Sequence, residues 1–137
     1  MLTAESHSCT WLYWHLPRIS PALFLAASVC HALPESHYTE QWCSEMGGQA
    51  EVTMPDGTRA DCVLREQGYA VEIERARNWL EAPGQAMWYA FQTGLQPGIV
   101  LIVGEGEETY LQRLYSLIRA YELPIRVWVV SRRTQSP

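Results

Sequence analysis

The 137-residue chain contains no lysine. Its ten basic side chains are all arginine, and fifteen acids outnumber them, for a formal net charge of −5. That balance provides no broad attraction for nucleic acid, so a polyanion would have to be met by a local arginine cluster or by bound metal. Long apolar runs are also missing. The stretch from Ile19 to Val29 is too short to cross a bilayer as an ordinary transmembrane helix. There is no glycine-rich phosphate loop, because Gly104-x-Gly106 lacks both the further glycines and the lysine of such a motif. Histidine is scarce: beyond residue 32 only His37 remains, with no nucleophile elbow or triad spacing around it.

What is present suffices for a packed core. The chain is 47% hydrophobic, with six Trp and seven Tyr, and its length predicts one domain. Arg18, the apolar run to Val29 and the small residues after it fit a secretory signal cleaved near Cys30 to Ala32. Met1 to Pro17 is long and bears Trp and His, which fits a mis-started N-terminal extension. The competing reading is an N-terminal core helix. Lipid attachment at Cys30 is disfavoured by the bulk of Val29. The expected organisation is a signal or extension over 1–32, one domain over 33–131 and a disordered tail over 132–137. The expected location is periplasmic or secreted, or cytoplasmic if the start is misassigned.

Removing 1–32 leaves nine Arg, fourteen acids and two cysteines, Cys43 and Cys62. In an exported protein that pair suggests a disulfide joining the first helix to the strand of Asp61. Two buried thiols remain an alternative. So does a zinc site with His37, although the spacing matches no common zinc module.

The expected elements follow in order. Pro34 to Cys43 reads as a helix stopped by Gly47-Gly48, with Tyr38, Trp42 and Met46 toward the core. Gln49–Met54, Ala60–Leu64 and Tyr69–Glu74 read as three strands, joined by Pro55-Asp56-Gly57-Thr58 and Arg65-Glu66-Gln67-Gly68 turns. A helix carrying Trp79, Leu80, Met87, Ala90 and Phe91 comes next. It is either kinked at Pro83 or split so that Pro83 falls in a first turn. Pro97–Val103 is apolar throughout and predicts a strand buried on both faces. Thr109 to Glu122 predicts a helix with Leu111, Leu114, Tyr115, Ile118 and Tyr121 on one stripe. Ile125 to Val130 predicts the last strand, with an exposed face able to pair. The fold class is therefore α/β, a mixed sheet with helices on both faces.

The chemistry is expected on the third strand, where Glu72 and Glu74 alternate with Val71 and Ile73. With Leu64 opposite Tyr69, Asp61 falls across from Glu72 and Arg59 across from Glu74. Cβ atoms of directly opposed residues lie about 4.5–5.5 Å apart, so two carboxylates there require a cation or a proton. Mg²⁺ or Mn²⁺ suits oxygen donors of this kind. A solvated hairpin face is the plainer reading, and for Glu74 an ion pair with Arg59.

That order of elements, with Asp61 on the second strand and Glu72-Ile73-Glu74 on the third, resembles the PD-(D/E)XK nuclease fold of restriction endonucleases and RecB-type exonucleases. Gln85-Ala86-Met87-Trp88-Tyr89 is similar to the QxxxY element of RecB-type members. The segment also looks like small exported bacterial proteins sharing AIE(V/F)DFA-x-KW-x-EAIGQALYYA. The resemblance runs from about Glu35 to Val130. It implies a restriction endonuclease-like three-layer core and metal-dependent phosphodiester hydrolysis on nucleic acid. It further implies that Asp61 and Glu72 hold Mg²⁺ or Mn²⁺, that Glu35 or Glu40 adds a carboxylate, and that Gln85 and Tyr89 position solvent or backbone. The motif lysine is replaced by Glu74. The lysine that exported relatives place before the Trp is Asn78 here. An Arg stays protonated and cannot substitute as a base. A catalytically inactive exported binding or structural protein on the same fold is the second expectation.

Overall fold

A computed structural model of the protein describes residues 31–135. The expected export signal lies outside the described residues but for its last two. These form a short strand, β1 (His31–Ala32), antiparallel to β7 (Thr134–Gln135). Residues 132–135, expected as tail, carry contacts of their own: Tyr38 Oη accepts the Arg133 N–H at 2.7 Å and donates to the Arg133 carbonyl.

Between these ends lie α1 (Glu35–Glu45), β2 (Gln49–Thr53), β3 (Arg59–Leu64), β4 (Tyr69–Arg75), α2 (Ala82–Thr93), β5 (Gln96–Val103), α3 (Glu108–Ala120) and β6 (Arg126–Ser131). The protein is α/β. Five strands make one mixed sheet in the order β2-β3-β4-β5-β6. The first three form an antiparallel meander, because the turns between them are short. Asp56 fastens the first turn by accepting the Thr58 N–H at 3.0 Å. β4, β5 and β6 run parallel, each crossover occupied by a helix.

Pro83 settles into the first turn of α2, where its missing N–H costs no hydrogen bond. The polypeptide leaves β4 through one 3₁₀ turn, Ala76–Asn78, before α2 begins. Gly94, at φ 69°, ends α2 in the left-handed conformation that glycine adopts without a Cβ penalty.

The sheet is covered on both faces. Beneath α1, Cys62, Leu64, Val71 and Ile73 pack with Tyr38 and Cys43. On the other face Ile99 and Leu101 pack with Ala82 and Ala86 of α2 and Leu114 of α3. β5 is buried from Pro97 to Ile102, as its unbroken apolar run requires. Neither helix buries the whole of its apolar set. On α2 the buried residues are Ala82, Pro83, Ala86, Tyr89 and Ala90, while Leu80, Met87 and Phe91 point outward. On α3 Leu114 is fully buried, but Tyr115 and, just after the helix, Tyr121 are exposed. Among the described residues, no helix is long and apolar enough to cross a membrane.

Candidate functional site

Glu72 and Glu74 lie on the α2 side of β4, level in the parallel ladder with Ile99 and Leu101 of β5. Those neighbours are fully buried. The pleat thus pushes two carboxylates into an apolar layer, and they retain only 5% and 7% of their surface. Charge in such a place is costly unless paired, bound to metal or neutralised by a proton. Among the described residues no side-chain cation meets Glu72, and its buried Oε2 has no hydrogen-bond partner. Burial first, then the charges of Asp61, Glu74 and Glu35, push its carboxyl up to about 9.

Asp61 arrives from β3 in the expected register, since Cys62 opposes Val71 and Leu64 opposes Tyr69. Its Oδ2 accepts the Ile73 N–H at 2.7 Å. That bond lowers the carboxyl, but burial outweighs it, and with Glu51 and Glu74 nearby the group is raised to about 6. Glu35, first residue of α1, reaches the same cluster. Burial, then the charge of Glu74 and a hydrogen bond to it, then Asp61, raise it to about 7, while Arg75 pulls it down. The alternative acid, Glu40, is exposed and does not act on the cluster.

The expected Arg59–Glu74 pair is absent. The β3–β4 backbone pairing ends at Cys62 opposite Val71, and Arg59 instead pairs in register with Thr53 and forms its ion pair with Glu51. Glu74 Oε1 accepts the Arg75 N–H at 2.8 Å and Asn78 Nδ2 at 2.9 Å. Arg75 extends elsewhere, donating from Nη2 to the Leu33 carbonyl at 2.9 Å with Nε 3.8 Å from Glu35. The lysine-free site thus uses an amide and a backbone N–H where a cation was expected.

Gln85 and Tyr89 are one turn apart on α2, and the Tyr89 hydroxyl donates to Gln85 Oε1 at 3.3 Å. Tyr89 is raised to about 12 by burial, then by the charges of Glu72 and Asp61. Gln85 joins the site through Tyr89.

Cys43 and Cys62 are joined as a disulfide with Cα atoms 5.7 Å apart. This removes both thiolates from the zinc reading, and His37 is exposed. The bridge ties α1, which begins with Glu35, to the residue following Asp61. Among the described residues, no group of three or more His, Cys, Asp and Glu side chains is spaced to hold a metal ion as it stands. The acids sense one another's charge without forming a ready-made ligand triangle.

Two contributors escaped the sequence reading. Asn78 as the partner of Glu74 was detectable from the four-residue spacing. Glu51, held at φ 56° between the paired Ala50 and Val52, had no such signal. Compared with protein-family models, with curated proteins and with solved structures, the chain matches none.

Proposed function

We propose that this protein is a metal-dependent phosphodiesterase of the PD-(D/E)XK nuclease kind, acting on nucleic acid with Mg²⁺ or Mn²⁺, and that its turnover is slow. The order helix, three-stranded meander, helix, strand, helix, strand supports a restriction endonuclease-like core. The observation that carries the reading is the orphaned, buried Oε2 of Glu72 among three further carboxylates. A native fold rarely leaves such an atom without a partner. The donor set fits a hard divalent ion: every candidate ligand is a carboxylate oxygen. Mg²⁺ commonly takes only one or two carboxylates and keeps several waters, so a preformed triad is not required.

Asp61 and Glu72 would hold the ion, with Glu35 beside them. When bound, it would supply Lewis acidity at a phosphoryl oxygen and a water of lowered pKa. Glu74 would orient that water or accept its proton. Its Oε1 already accepts from two donors, which fixes the orientation of the carboxylate. Tyr89, whose hydroxyl donates to Gln85 Oε1, and Gln85 itself would position solvent or the phosphate backbone. Slow turnover follows from the missing lysine, since no mobile cation stands beside Glu74 to offset phosphate charge.

The test is cleavage of single- and double-stranded DNA and RNA with Mn²⁺. Weak cleavage, lost in Asp61→Ala, is expected. If Mn²⁺ raises the melting temperature but nothing is cut, the second reading stands: an inactive exported binding or structural protein on the same scaffold. That reading draws on the absent lysine and the net charge of −5. If Mn²⁺ leaves the melting temperature unchanged as well, the metal reading is wrong.

A further inference from the structure

Glu35 sits where its neighbours should expel it. Its side chain is 39% exposed, so a change of rotamer would carry the carboxylate into water, away from Asp61, Glu72 and Glu74. Like charges and side-chain entropy both favour that departure. Glu35 nonetheless stays in hydrogen-bond contact with Glu74. Its own helix does little to hold it there. Pro34, just before it, gives α1 no side-chain cap. Tyr38 anchors the following turn to Arg133, and the Cys43–Cys62 bridge pins the helix about two turns beyond Glu35. The first turn is left to Arg75.

Building on the acid centre as a metal site, we propose that Arg75 positions Glu35 as a ligand of that ion. Arg75 ends β4, and strand alternation turns its side chain to the face opposite Glu74. That side chain is only 16% exposed. Its Nη2 donates to the Leu33 carbonyl at 2.9 Å, and its Nε lies 3.8 Å from Glu35 Oε2. One planar fork thus grips the chain on both sides of Pro34, whose ring keeps the step between them stiff. The backbone N–H of the same residue donates to Glu74 Oε1 at 2.8 Å. Arg75 therefore holds Glu74 by its main chain and Glu35 by its side chain, and sets the gap between the two carboxylates. Removing a group that orients a metal ligand typically costs about 10–100-fold in affinity.

Electron paramagnetic resonance of free Mn²⁺ titrated with the full chain at neutral pH reads that affinity. Arg75→Ala should weaken Mn²⁺ at least about tenfold, and Glu35→Gln by a similar factor. The sign is diagnostic: a guanidinium acting by charge alone repels the cation, so its removal would tighten binding. In a Glu35→Gln background Arg75→Ala should change the affinity by less than about threefold, because Arg75 acts through Glu35. Arg75→Lys keeps the charge but cannot span both acceptors, and it carries the same comparison should the alanine variant fail to fold. Unchanged or tighter binding by Arg75→Ala, an equal loss in both backgrounds, or a Glu35→Gln protein that binds as the parent does overturns the role of Arg75. If parent binding still depends on Asp61, the metal reading survives that result. A parent that binds no Mn²⁺, or binds it equally after Asp61→Ala, overturns both.

Discussion

The carboxylate of Asp61 takes the backbone N–H of Ile73 at 2.7 Å, one step beyond the point where the backbone pairing of β3 with β4 ends. A side chain thus replaces a main-chain acceptor in the ladder. Asp61 is turned toward β4, and its charge is set beside Glu72, which meets no cation among the described residues. The acid centre is built from this substitution and from the pleat of β4. Both act before any ligand is present, so the centre stores unfavourable charge in the folded protein.

The first consequence is a stability that falls with pH. Glu72, Glu35 and Asp61 all titrate higher in the folded chain than their ordinary values of 4.5, 4.5 and 3.8. The folded state therefore binds more protons than the unfolded one between about pH 4 and pH 9. The stabilisation is complete below the unfolded values and is lost as pH rises through about 6, 7 and 9. Between pH 7 and 9 Glu72 alone should cost about 1.4 kcal/mol per pH unit. Glu72→Gln should flatten that limb and make the variant more stable than the parent at pH 8.5. Urea unfolding at a series of pH values measures both, and a parent curve flat from pH 5 to 9 would refute the account.

A metal ion entering this centre must displace protons. At pH 7 Glu72, raised to about 9, carries a proton that a ligand oxygen cannot keep. Binding of Mn²⁺ should release on the order of one proton near neutral pH. Calorimetry in buffers of different ionisation enthalpy reads that number directly. Glu72→Gln should abolish both the release and the rise in melting temperature, and tight binding without proton release would contradict the assigned protonation.

Much of this was legible in the residues themselves. Alternation over Val71–Glu74, the tight turn at Arg65–Gly68 and the unbroken apolar run at Ile99–Val103 specify strands, their pairing and their burial by short-range rules. Asp61, Glu72 and Glu74 could be brought together on that basis. The side of Glu74 that matters could not. Its partners follow from where the ladder ends and the 3₁₀ turn begins, which is a matter of tertiary geometry. The same holds for α2. Apolar residues occupy both of its faces, and periodicity alone does not say that the alanine side is the one facing the sheet.

The Cys43–Cys62 bridge gives a prediction independent of charge. It closes a loop over a sequence separation of 19 residues, and on the chain-entropy account a loop of that size is worth about 3 kcal/mol. Cys43→Ala with Cys62→Ala should lower the unfolding free energy by about that amount. Both sulfurs are fully buried, and a Cβ on Gly48 would press on each of them, so the space is tightly shared. Reductant should lower the melting temperature of the parent and leave the double variant unchanged. Equal stability of parent and variant would show that packing alone holds α1 to β3.

Glu51 provides the sharpest test of strain near the acids. It sits at φ 56°, in the left-handed region that costs a residue with a Cβ roughly 1–2 kcal/mol. It falls between Ala50 opposite Cys62 and Val52 opposite Ala60, at the position this register leaves unpaired. Its charge raises the Asp61 carboxyl. Its ion pair with Arg59 is solvent-exposed and contributes little. In an ordinary strand a change to glycine destabilises, by roughly 0.5–1 kcal/mol relative to alanine. Here Glu51→Gly removes the strain, so the net effect should be neutral to about 1 kcal/mol stabilising. The same variant should let Asp61 titrate below its present value of about 6, which carbon-detected NMR of the carboxylate would follow. A loss of more than about 1 kcal/mol would mean that the left-handed turn at Glu51 is held by contacts worth more than its strain. In that case Asp61 would owe its orientation to β2 as well as to the N–H of Ile73.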